Sequence, residues 1–195
     1  SRRVHLEEDT GRLAHEGRTS LVDYNRAGVP LMELVTEPDI HDAETAVAFA
    51  KELQLLLRYL SIATADMEKG EMRVEANISV SADETFGTKV EVKNLNSFKS
   101  VGEAIAYEVL RQSELLSKGG RVVQETRGWD EARRATVGQR SKEEAHDYRY
   151  LPEPDLPPIH LPSAEWLKIE ALRAELPELP REKYRRFREE FSLRA

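Results

Sequence analysis

Cysteine is absent from the 195-residue chain. That excludes a disulfide framework, a thiolate metal site and a cysteine nucleophile. No apolar run is long enough to span a bilayer. The opening residues, SRRVHLEED, carry arginines with no apolar core behind them, unlike a secretory signal. Neither a glycine-rich phosphate loop of the Walker type nor a dinucleotide fingerprint occurs. Positive charge is in the minority, with 29 Lys and Arg against 36 Asp and Glu and a net charge of −7. This balance disfavours broad, non-specific nucleic-acid binding, which works by neutralising phosphates. A local basic surface remains open, because Arg181, Lys183, Arg185, Arg186 and Arg188 cluster near the end. Such a cluster is ordinarily a solvated helix face. These absences lead us to expect a soluble cytoplasmic protein with no membrane partner.

What is present reads as mixed α and β. Residues 2–8, 20–25 and 31–36 read as strands. Asp42 is a good N-cap for a helix over about 43–60. That helix has an apolar face of Ala43, Ala46, Val47, Ala50, Leu53, Leu57 and Leu60 at helical spacing. Met72, Val74, Ala76, Ile78 and Val80 alternate with polar residues, and the pattern returns at Thr88, Val90 and Val92. Two alternating runs joined by a loop predict a hairpin with one buried and one polar face. A second helix is expected near 99–117, with Val101, Ile105, Val109 and Leu116 inward, stopped by Lys118-Gly119-Gly120. Residues 121–127 suggest another strand. Residues 128–162 read as a polar, Pro-rich extended crossing that includes PEPDLPP. Ser163 is then expected to cap a helix to about Leu176, with another helix beginning near Pro180. The expected fold class is α+β: a mostly antiparallel sheet covered by helices on one face.

The chemistry-bearing residues fall into three groups. The segment Asp23–Asp39, DYNRAGVPLMELVTEPD, sets Asn25 and Arg26 before a Gly28/Pro30 turn. A strand-like run, read as buried, follows with one carboxylate inside it, Glu33. A carboxylate among Leu, Met and Val is costly to bury without a partner. Glu33 therefore either faces solvent or is held for chemistry by a cation. Glu7, Glu8 and Asp9 form a second acidic group beside His5. Strand alternation lets only part of that triplet serve one site. The third group is the polar face of the predicted hairpin, with Arg73, Glu75, Asn77, Lys89, Glu91 and Lys93. Carboxylates there can hold Mg²⁺, and Lys and Arg can balance phosphate charge. A solvated sheet face with weak cross-strand ion pairs fits the same pattern.

The spelling of several segments is more specific than their patterning. DYNRAGVPLMELVTEPD resembles a signature of the B subunit of aspartyl/glutamyl-tRNA amidotransferase. So do HLEEDTG at His5–Gly11, MEKGEMRVEANIS at Met67–Ser79, FGTKVEVKNLNSF at Phe86–Phe98, GGRVVQETRGWDE at Gly119–Glu131 and SKEEAHDYRYLPEPDLPP at Ser141–Pro158. The motifs occur in order and span nearly the whole chain. The resemblance implies a catalytic domain like that of glutamine synthetase. It also implies two partner proteins, a glutaminase-type A subunit and a small C subunit. The implied substrate is a misacylated Glu-tRNA(Gln) or Asp-tRNA(Asn), and the implied cofactors are Mg²⁺ and ATP. The implied reaction is that of a ligase: phosphorylation of the aminoacyl side-chain carboxylate, then displacement of phosphate by ammonia. Glu8 and Glu33 match family Mg²⁺ ligands, and Glu75 matches a further acidic position. The family more often spells that stretch RCDAN where this chain has RVEAN, so the longer Glu75 carboxylate alters the ligand reach. Arg73, Lys89 and Lys93 are the expected phosphate contacts, with His5, Arg26 and Glu91 as further candidates. Against that family we expect residues 1–160 to be an N-terminally incomplete catalytic domain. Residues 161–195 would be the truncated start of a helical domain. A non-catalytic scaffold that binds tRNA or protein is the alternative reading.

Overall fold

The computed structural model describes residues 3–141 and 168–193. The chain divides into two compact units, Ser1–His41 and Asp42–Ala195. The boundary expected at 160/161, the PEPDLPP segment and the Ser163 cap lie outside the described residues.

The first unit is built from two antiparallel pairs. Strand β1 (Arg3–Glu8) pairs with β4 (Pro30–Val35), and β2 (Arg12–Glu16) pairs with β3 (Thr19–Asp23). The β2 strand was not expected, because GRLAHEG carries too few apolar residues to show a clear alternation. The turn before β4 is closed by Ala27 N–H to Tyr24 O at 3.0 Å and Val29 N–H to Arg26 O at 3.1 Å. Gly28 takes φ +78°, a left-handed value that a side chain would resist. Among the described residues of this unit none is buried. The reading of Leu31–Thr36 as a buried run is therefore corrected: β4 is a strand, but it is half-exposed, with Leu31 38% accessible.

The second unit holds the core. Helix α1 (Ala43–Tyr59) begins where expected, with the Asp42 side chain accepting from Thr45 N–H at 2.7 Å. Every residue of its predicted apolar face is buried or half-buried. Strands β5 (Val74–Ile78) and β6 (Val90–Leu95) form the predicted antiparallel hairpin. Strands β7 (Glu125–Asp130) and β8 (Ala135–Ser141) extend it to a four-stranded sheet of order β5-β6-β7-β8. The β6–β7 pair is parallel and the other two are antiparallel. Helix α2 (Phe98–Ser117), capped by Ser97, makes the crossover between β6 and β7. A parallel pair needs such a crossover. Glycines end α2 as expected: Gly119 takes φ +73°, and Gly120 N–H reaches Leu115 O at 2.9 Å. The expected polar crossing is overturned over residues 128–141, where β7 ends and β8 follows.

One face of the sheet packs on α2. Val90, Val92, Val101 and Ala104 are essentially inaccessible, joined by Met67, Ala76, Ile78, Leu95 and Trp129. Each fully buried valine contributes about 1.5–3 kcal/mol of apolar transfer. Gly102 lets α1 approach α2, since a Cβ there would sit 3.2 Å from Val47 Cγ2. The inward face expected for α2 needs correction. Val109 and Leu116 are exposed, and the buried stripe runs through Val101, Ala104, Glu108 and Gln112. Among the described residues α3 (Ile169–Glu175) and α4 (Pro180–Phe191) follow.

Candidate active site

The sheet face opposite α2 is polar. Alternation sets Glu75 and Asn77 of β5, Glu91 and Lys93 of β6, and Thr126 of β7 on that side. Lys93 Nζ lies 3.1 Å from Glu75 Oε1 and 3.8 Å from Glu91 Oε1. Thr126 Oγ1 donates to the other oxygen of Glu91, Oε2, at 2.9 Å. One ammonium thus stands between two carboxylates on two neighbouring strands, with Thr126 of a third strand beside them. A bulge helps to produce this placement. Val74 pairs with Leu95 but Ala76 pairs with Val92, so β6 carries an extra residue opposite Glu75. Asn94 sits in that bulge at φ +65°, and its Nδ2 donates to Trp129 O at 2.9 Å. The bulge returns Leu95 to the core while Lys93 stays on the polar face. Arg73 and Lys89 lie just before β5 and β6, exposed at the margin of this face.

Behind the sheet is a second charged group. Glu108 of α2 is fully buried. Arg111 grips it with Nε at 3.0 Å, Gln112 Nε2 donates at 2.9 Å and Thr136 Oγ1 donates at 2.8 Å. Arg127 of β7 stands 3.7 Å away and also holds Glu125 at 2.7 Å. Burial pushes the Glu108 carboxyl up, but the hydrogen bonds from Arg111, Gln112 and Thr136 outweigh it and hold it below the usual carboxylate range. The same contact with Glu108 raises the Arg111 guanidinium above its ordinary value, against the opposing effect of its own burial.

In the first unit, His5 faces Glu33 across the β1–β4 ladder. His5 Nδ1 lies 3.3 Å from Glu33 Oε2, and His5 Nε2 lies 3.5 Å from Glu7 Oε2. Arg3 Nη2 donates to the same Glu33 oxygen at 3.0 Å. Alternation sets Arg3, His5, Glu7 and Glu33 on one face, and Glu8, which pairs with Pro30, on the other. Arg26 Nε holds Asp9 Oδ2 at 2.8 Å, while Asp9 N–H donates to Val29 O and Gly28 N–H to Asp9 O. Arg26 and Asp9 thereby tie the turn to the end of β1.

Among the described residues no group of three or more His, Asp or Glu is arranged to hold a metal ion. No described helix is long and apolar enough to cross a membrane. The basic cluster on α4 is divided. Arg186 is paired with Glu178 through two contacts of 2.7 and 2.8 Å, and Lys183 Nζ donates to Tyr59 Oη at 2.8 Å. Arg181, Arg185 and Arg188 are exposed along one stripe.

Comparison with known proteins decides the family. Residues 2–168 match the family model described as the GatB/GatE catalytic domain. The chain belongs to the GatB/GatE catalytic-domain family. Similar relatives are named as the B subunit of aspartyl/glutamyl-tRNA(Asn/Gln) amidotransferase. The one from Carboxydothermus hydrogenoformans is 51% identical over 98% of this chain, the one from Herpetosiphon aurantiacus 53% over 98%, and the one from Brevibacillus brevis 52% over 98%. The chain spans about 40% of the length of these relatives.

For this GatB/GatE chain, the hairpin residues expected on one polar face do come together as Glu75, Glu91 and Lys93. Sequence reasoning missed Thr126, Asn94 and Glu108. Thr126 becomes a neighbour of Glu91 only through the parallel β6–β7 pair, which no local pattern announces. Asn94 had a signal, since Asn is enriched at left-handed positions. Glu108 had none: a lone Glu in a helix is ordinarily at the surface.

Proposed function

We propose that this chain is the catalytic part of the B subunit of a glutamine-dependent tRNA amidotransferase, a carbon–nitrogen ligase of protein biosynthesis acting in the cytoplasm or in a eukaryotic organelle. Its substrate is the side-chain carboxylate of Glu on tRNA(Gln) or of Asp on tRNA(Asn). A carboxylate oxygen attacks the γ-phosphorus of ATP, the bond to the β,γ-bridging oxygen breaks, and ADP departs. Ammonia supplied by the A subunit then attacks the acyl carbon, loses a proton, and inorganic phosphate leaves with the C–O bonding pair. The C subunit completes the complex.

The single observation that carries this reading is the polar sheet face on which Lys93 stands between Glu75 and Glu91. Phosphoryl transfer needs positioning and charge neutralisation more than covalent help from the protein. Lys93, with Arg73 and Lys89 at the margin, supplies positive charge toward phosphate oxygens. Glu75 and Glu91 are hard oxygen donors of the kind Mg²⁺ accepts, one or two carboxylates sufficing when water and phosphate complete the shell. In the first unit, Glu8 and Glu33 are the carboxylates offered as Mg²⁺ donors, and they lie on opposite faces of the β1–β4 pair. Mg²⁺, when bound, would supply charge neutralisation between the phosphates. Arg26 supports the reading as a positioning group for the turn that leads into Glu33.

The test uses the full-length protein assembled with its A and C partners, with ammonium salt as nitrogen donor so that the glutaminase step is bypassed. Lys93→Met should lower kcat/KM for phosphate release and for tRNA amidation together, by roughly 100-fold or more, the loss expected for a lost transition-state charge contact. Wild-type rates in that variant would remove this face from the mechanism. The second reading, a non-catalytic scaffold for tRNA or protein, draws on the exposed Arg181, Arg185 and Arg188 stripe. It requires tRNA binding that survives metal chelation and weakens steeply with salt, alongside an unaffected Lys93→Met rate.

A further inference from the structure

We propose that Thr126 is a positioning residue of this site, acting through Glu91 on Lys93; the inference rests on the reading of the polar sheet face as the phosphate-handling surface. Thr126 is nearly buried, at 5% accessibility, and its hydroxyl hydrogen is directed at Glu91 Oε2 at 2.9 Å. The Glu91 side chain is itself 17% accessible, so its carboxylate is largely screened from water and its orientation depends on protein donors. Its second oxygen faces Lys93 Nζ at 3.8 Å. Lys93 is a flexible four-carbon chain whose ammonium direction is set by what surrounds it. Glu75, whose carboxylate lies 3.1 Å from the ammonium, is half-exposed and so a solvated neighbour. The Thr126-held carboxylate provides the second, fixed point.

The placement follows from the topology. The parallel register sets Thr126 directly beside Glu91. Arg127, the next residue, lies on the opposite, α2-facing side and donates to Thr136, with Nε to Oγ1 at 2.8 Å and Nη2 to the Thr136 carbonyl at 2.8 Å. The backbone on which Thr126 rides is therefore pinned from the α2 side, and its hydroxyl is presented to Glu91 from a fixed point.

The test uses the full-length protein in its assembled complex, with ammonium-dependent amidation of misacylated tRNA as readout. Thr126→Val keeps the β-branched shape and removes the donor, and Thr126→Ser keeps the donor and removes a methyl. We expect Thr126→Val to lower kcat roughly tenfold, the size of a lost hydrogen bond to a charged group. The KM for the misacylated tRNA should stay within about twofold, since the group acts on the chemical step. Thr126→Ser should recover kcat to within about threefold of wild type. In a Glu91→Leu background, Thr126→Val should cost nothing further, because the residue through which it acts is gone. A wild-type kcat in Thr126→Val, a Thr126→Ser as impaired as the valine, or an undiminished valine effect in the Glu91→Leu background would each overturn the proposal. The two readings fail separately. An active Lys93→Met removes the surface itself, whereas an inactive Lys93→Met with a wild-type Thr126→Val removes only the role of Thr126.

Discussion

A carboxylate without accessible surface is stable only when donors meet its charge, and at Glu108 they come from two elements at once. Arg111 and Gln112 belong to its own helix, while Thr136 and the nearby Arg127 belong to the sheet. Removing one partner of such a group leaves the others buried and uncompensated. Glu108→Ala should therefore lower the unfolding free energy by about 3–5 kcal/mol, read by urea denaturation of the full-length protein. A change within ordinary surface values would mean that the network is dispensable. The pH dependence has a definite sign. The Glu108 carboxyl is held below its ordinary range, so its stabilisation is complete above that range and is lost as pH falls through the lower, folded value. Glu108→Gln should flatten the acid limb of the stability profile, and an unchanged limb would assign acid unfolding to other groups. The residue types on the polar face were legible at this scale, because Glu75, Glu91 and Lys93 alternate with Ala76, Val90 and Val92. Glu108 was not legible, because its burial depends on a sheet contributed by residues further along the chain.

At the scale of elements, local signals worked where one segment contained its own answer. Asp42 caps α1, Ser97 caps α2, and Gly119 ends α2, each through contacts within a few residues. Elements whose existence depends on a distant partner were harder to see. The β8 strand, ATVGQRS, is polar and short of apolar alternation, and it pairs because β7 offers an edge. The bulge in β6 is an element-level device with a residue-level handle. Asn94 occupies a left-handed conformation that a β-branched residue resists. Asn94→Val should destabilise the protein by about 1–3 kcal/mol, while Asn94→Gly keeps the backbone and loses the side-chain hydrogen bonds to Trp129 O and from Asn96 Nδ2. Thermal unfolding of both variants checks the order, and a valine variant as stable as the glycine one would show that the bulge relaxes without cost.

At the scale of the whole molecule, stability is unevenly distributed between the two units. The second unit has a continuous core of sheet and helix, whereas no described residue of the first is buried, and Leu6 there is 81% accessible. Slow amide exchange tracks buried, cooperatively held structure. In the isolated chain, exchange should be slowest in β6, β7 and α2 and much faster in β1 to β4, measured by mass spectrometry. Equal protection in both units would overturn this division. The sequence by itself determined the boundaries of α1 and α2, the hairpin and its two faces, and, through the spelling of its motifs, the family. These properties depend on residues close together in the chain, where periodicity, capping and turn chemistry act locally. Only the tertiary structure decided that β6 and β7 run parallel, that Thr126 reaches Glu91, that Glu8 and Glu33 lie on opposite strand faces, and that Glu108 is buried. Those outcomes depend on register and crossover packing between segments far apart in sequence, where the energy lies in contacts that no single segment contains.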